Sequence, residues 1–108
     1  VKLKPGQLIK LVTKGLMYTK DGFAAGGNDG CGGFTIFETI RLSTYPSSND
    51  FIGRSEKVSH GDLAILIDYI GRPHNVKLDP DWFYYDVYSV LIRGNVMQVF
   101  KQNIELVN

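Results

Sequence analysis

The sequence predicts an all-β protein, a small antiparallel barrel of five to six strands. Three observations carry that expectation. Apolar stretches of strand length, rich in β-branched and aromatic residues, recur along the 108 residues; Gly, Asp, Asn and Pro turn chemistry bounds them; and no stretch shows an apolar stripe at helical spacing. A closed sheet would also limit exposed edges.

Residues 8–12, Leu-Ile-Lys-Leu-Val, follow Pro5-Gly6 and read as the first strand. Residues 34–42 alternate Phe34, Ile36, Ile40 and Leu42 against Thr35, Thr39 and Arg41, the period of a second strand. Strict alternation places Glu38 on the apolar side. Either a β-bulge there turns Phe37 inward, the favoured reading, or a partly buried carboxylate needs a partner. In residues 63–70 seven of eight side chains are apolar or aromatic, which predicts a strand buried on both faces or nearly so. Residues 82–92 set Trp82, Tyr84, Tyr88, Val90 and Ile92 on one face and Phe83, Tyr85, Val87 and Leu91 on the other. A two-residue turn at Gly94-Asn95 would join them in a hairpin to residues 96–100. A polar step, Lys101-Gln102-Asn103, then leads into a last short strand over 104–107.

The order of these features resembles Src-homology-3-like barrels. Gly61-Asp62-Leu63-Ala64-Ile65-Leu66 is similar to their Gly-Asp diverging turn and following strand, Trp82-Phe83 to their double-aromatic strand start, and the hairpin at Gly94 to their distal hairpin. Residues 103–107, Asn-Ile-Glu-Leu-Val, resemble their short helical turn and closing strand. The resemblance covers the C-terminal half. It implies the barrel fold but not capture of proline-rich peptides, because the first strand lacks the tyrosine-bearing motif and Ile104 stands at the late tyrosine position. Long polar loops on a small barrel are also similar to proteins encoded by tailed phages.

The length suits one domain, residues 1–108, with long loops over 14–33 and 44–60. An apolar content of 44% argues against disorder, and no stretch has the length of a membrane span or the pattern of a secretion signal, so a cytoplasmic or virion setting is expected. One cysteine, Cys31, excludes an internal disulfide. Twelve basic against eleven acidic residues leave the chain near neutral, although five lysines precede Asp21 while Asp79, Asp81 and Asp86 crowd a later segment. That asymmetry reads as solvated surface or as orientation against a charged partner.

Chemistry-bearing constellations are sparse. The loop of Asp21-Gly22-Phe23 through Gly32-Gly33 is glycine-rich, yet no Lys-Ser/Thr follows it and a strand comes next, so a phosphate cradle lacks its helix terminus. A surface loop ordered by a partner is the better reading. Cys31, His60 and His74 lack the paired spacing of a zinc site, and no base lies near Cys31 in sequence. Asp79-Pro80-Asp81 and Asn28-Asp29-Gly30 lack the distant glutamate of a calcium loop and suit turns. No enzyme activity, cofactor or metal is therefore expected.

The contiguous rings from Trp82 to Tyr85 cannot all enter one core, so either some face a partner or the long loops cover them. The expected function is a structural or interaction module that contacts a protein, or copies of itself, through Phe83, Tyr85, Phe23 and Tyr45. Its alternative is a single-stranded nucleic-acid binder stacking bases on Tyr84 and Tyr88, disfavoured by the nearby aspartates and the absence of basic excess.

Overall fold

The computed structural model describes residues 3–12, 15–19, 22–26, 33–41, 50–71 and 86–107. They form β1 (Leu8–Leu11), β2 (Gly15–Thr19), β3 (Gly22–Gly26), β4 (Gly33–Ile40), β5 (Phe51–Ser59), β6 (Leu63–Gly71), β7 (Val87–Ile92), β8 (Asn95–Phe100) and β9 (Ile104–Leu106), with a 3₁₀ turn at Lys101–Asn103. No α-helix occurs among the described residues, and none there is long and apolar enough to cross a membrane. The all-β antiparallel class is as the sequence predicts.

Seven strands make one antiparallel sheet in the order β5-β4-β8-β7-β6-β1-β9, while β2 and β3 pair separately. The sheet is not closed: β5 and β9 are its edges. Two expected loops contain strands. Residues 51–59 of the 44–60 stretch are β5, and the 14–33 stretch holds β2 and β3, with Thr19 opposite Gly22. β5 escaped a pattern reading because an edge strand with charged residues buries little; of its nine residues only Val58 is fully buried.

The core follows from alternation. Ile9 and Leu11 of β1, Ala64 and Leu66 of β6, Val90 and Ile92 of β7, and Met97 and Val99 of β8 all point to one side. There they meet Phe34 and Ile36 of β4 and Val58 of β5. Each fully buried aliphatic side chain of this size contributes about 1.5–3 kcal/mol relative to exposure. A smaller cluster, Ile40, Val87 and Phe100 with Phe51 against them, forms where β4 crosses β8. β4 meets β8 at a single register pair, Phe37 and Gln98, and the Gln98 side-chain oxygen accepts the Ile40 N–H at 2.7 Å. A side chain thus stands in for the missing ladder bond.

Turns pin the register. Ile92 pairs with Asn95, so the β7–β8 hairpin turns on Arg93 and Gly94, one residue earlier than expected. Their φ angles, 51° and 79°, are both positive, the mirror-image turn that matches strand twist. Arg93 holds this uncommon conformation while its guanidinium donates to the Lys57 carbonyl at 2.9 Å and to the Asp62 carboxylate at 2.8 Å. Asn95 is free to be the first residue of β8, and its side-chain oxygen accepts from Arg54 at 2.7 Å. The Asp62 carboxylate also accepts the Ser59 N–H at 2.8 Å, closing the Gly-Asp turn, whose Gly61 N–H donates to Leu11.

The bulge expected at Glu38 is present: the β4–β5 register shifts between Phe37 and Thr39. Phe37 is half-buried with its ring 5.3 Å from that of Phe51, and Glu38 is exposed, 3.8 Å from Arg54. Opposite lies Gly53 at φ 85°, where an added Cβ would sit 2.8 Å from Glu38 Oε1 and 3.0 Å from its Cβ. The carboxylate can swing away; the Glu38 Cβ cannot. Gly53→Ala is expected to lower stability by about 2 kcal/mol, from the left-handed backbone and the contact together, as read from the midpoint of urea unfolding. A midpoint equal to wild type would contradict this bulge geometry.

Candidate functional site

β6 departs most from its sequence expectation. Ala64 and Leu66 are buried, but Leu63, Ile65 and Ile67 are exposed, so over residues 63–67 the strand is covered on one face only; beyond the register shift, the consecutive Tyr69 and Ile70 are both exposed. Its neighbours explain why. On the inner side β6 meets the core, whereas its outer side belongs to a face on which the adjacent strands are also bare.

Register defines that face. Leu8 of β1 pairs with Ile65 of β6, Ile65 with Leu91 of β7, and Leu91 with Val96 of β8. Directly paired residues point to the same side of a sheet. One apolar row therefore crosses four adjacent strands, and its members are 44%, 42%, 38% and 53% exposed in that order. Leu63, 57% exposed, lies two residues before Ile65 on the same face, and exposed Ile67, the residue at which the β6–β7 register shifts, lies two residues after it. These six side chains leave roughly 500 Å² of contiguous apolar surface, toward the upper end for the largest patch on a monomer.

The borders are polar. Along one side Lys10, opposite Leu63 in register, pairs with Glu105 of β9 at 3.3 Å. Along the other, exposed Asp68 pairs in register with the buried Ser89, and Ser89 with the half-buried Gln98. Near the turn, Arg93 lies 2.8 Å from Asp62 and 3.4 Å from Glu56. Exposed pairs of this kind contribute little to stability, about 0–1 kcal/mol each, but they neutralise the cations that would draw a phosphate backbone.

Phe83, Tyr85 and Tyr45 lie outside the described residues, as do Trp82, Tyr84, Cys31, His74, Asp79 and Asp81. Phe23 is in β3, opposite Tyr18. The division of the 82–85 rings between two faces thus falls outside the described residues. The later part of that strand follows the expected alternation. Val90 and Ile92 are buried, Leu91 is exposed, and Tyr88 is half-buried with its ring 5.3 Å from that of Tyr69. Val87 shares the outer side with Leu91 yet is fully buried, because the Ile40–Phe100 cluster covers that end. Asp86 is buried and its carbonyl accepts the Lys101 N–H at 2.7 Å, so it is part of the fold rather than of a charged surface.

His60 is exposed in the turn between β5 and β6, and no group of three or more His, Cys, Asp or Glu side chains suited to a metal occurs among the described residues. A shallow cleft between Phe34, Phe37, Phe100, Gln98 and Asn103 offers about 10 Å³, the space of one water. Comparison with protein-family models, curated proteins and solved structures finds no match.

The site that sequence reasoning missed is the aliphatic row. Its signal was present: a strand with apolar residues on both faces is normally covered on both. Leu66→Ala is expected to cost about 3 kcal/mol by opening the core. Ile65→Thr, one residue away and still β-branched, should change stability by less than about 0.5 kcal/mol in dilute solution. Denaturant titration of both variants checks this, and equal losses would mean that both faces of β6 are covered within one chain.

Proposed function

We propose that this chain is a non-enzymatic structural or protein-interaction module, built on a Src-homology-3-like small barrel, that docks through the outer face of β1, β6, β7 and β8. The observation that carries the reading is β6 itself, apolar on both faces and covered on one. Selection for solubility removes such rows from surfaces that meet only water, and rows that persist mark contact sites.

The Src-homology-3-like part is supported by strand order. Omitting the inserted strands, β9-β1-β6-β7-β8 is the order last, first, second, third, fourth, with a Gly-Asp turn before the second strand, a tight hairpin between third and fourth, and a 3₁₀ turn before the last. β4 and β5, inserted between the first two of these strands, extend the sheet beyond β8. The contact surface proposed is the aliphatic row rather than the aromatic set read from sequence. A structural role in a virion is the setting that the likeness to phage-encoded barrels suggests.

Nucleic-acid binding gains no support from the face, whose bordering cations Lys10 and Arg93 each lie beside a carboxylate. Strand-tracking proteins need free cations along the backbone path. A photoreactive leucine analogue at position 91 is expected to cross-link to polypeptide when the purified chain is returned to an extract of its source, and the same group at Ile52 on β5 should not. Cross-links predominantly to nucleic acid, or equal yields at both positions, would contradict the reading.

A further inference from the structure

We infer that the occupant of this outer face is a second copy of the same chain, docked face to face about a two-fold axis; the inference rests on the docking reading above. Shape comes first. The row Leu8-Ile65-Leu91-Val96 spans three strand spacings, about 14 Å, and the line Leu63-Ile65-Ile67 runs about 13 Å along β6. They cross at Ile65. Ile65 stands one strand from Leu8 and two from Val96, so a two-fold axis along the row, which sets each of its residues against its own copy, is the isologous arrangement that superposes the whole row.

Area agrees with that partner. A standard interface covers about 800 Å² on each side, and the homodimeric kind is about two-thirds apolar. The patch of roughly 500 Å² would supply nearly two-thirds of such a side, leaving about 300 Å² to polar borders.

Charge selects the axis. Lys10 borders the Leu63 side of the row, and Asp68 borders the opposite side. A two-fold axis lying along the row turns one flank over the other, bringing the Lys10–Glu105 pair of each copy toward Asp68 of its mate, so that Lys10 is shared between the two carboxylates, twice in the dimer. A net charge of +1 leaves little repulsion between copies.

Sedimentation equilibrium of the purified chain over a concentration series is expected to show a reversible monomer–dimer transition at about micromolar concentration, toward twice the 12.1 kDa chain mass. Ile65→Lys should abolish dimers and Asp68→Lys should weaken them about tenfold, both with wild-type circular dichroism and melting under dilute conditions. Ile52→Lys, away from the row, should dimerise as wild type. A wild-type chain monomeric throughout, or dimers that Ile65→Lys leaves intact, would overturn the inference. In the first case, cross-linking from position 91 to a different polypeptide keeps the docking reading and removes only the second copy. If position 91 captures no polypeptide either, both fall.

Discussion

Register in β6, β7 and β8 is the constraint on which the rest of the structure depends. Moving a strand by one residue exchanges its two faces, and a strand polar on one side is thereby held in place. β6 lacks that protection. With Leu63, Ile65 and Ile67 outside and Ala64 and Leu66 inside, a slipped β6 would still offer apolar residues to the core.

Polar anchors supply the missing specification. Asp62 holds the turn before β6 through Ser59 and holds the β7–β8 hairpin through Arg93, while its carbonyl accepts the Leu11 N–H at 2.8 Å. At the other end of β1, Gly6 N–H donates to Leu66 at 2.7 Å. The buried Asn103 completes the frame: its side chain donates to the Val12 carbonyl at 3.0 Å, and its own carbonyl accepts the Val12 N–H at 2.9 Å. Several of these contacts are exposed and individually weak. Together they make the alternative register costly, because a slip of β6 breaks the bonds between β1 and β6 at Leu11–Asp62 and Gly6–Leu66 at once, while Asn103 keeps β1 in place. The protein can then carry an apolar outer face without losing a unique fold.

Much of the fold was legible because strands with strong alternation bounded by turn residues declare themselves. β1, β4, β6 and the β7–β8 hairpin belong to this class, as does the bulge that Glu38 demanded. β5 was hidden by its edge position, where Gly53, Arg54, Glu56 and Lys57 replace apolar residues. β2 and β3 were hidden by glycine, although Asp21-Gly22 is itself a hairpin dipeptide. The hairpin turn was displaced because Arg93 adopts a left-handed conformation that its three side-chain contacts sustain, a tertiary effect absent from local sequence. The candidate site was legible only in part. Two-sided apolarity in β6 was visible, but the row exists only once four strands pair, and the residues that pair lie far apart in the chain.

Leu8, Ile65, Leu91 and Val96 share one water-facing surface on a single chain. Methyl relaxation by a soluble paramagnetic agent, measured on isotopically labelled protein in dilute solution, tests it most directly. Strong enhancement at Leu8, Ile65, Leu91 and Val96 with little at Ile9, Leu11, Val90 and Ile92 is the predicted result. Ile65 and Leu91 as protected as Ile92 in the monomer would contradict it.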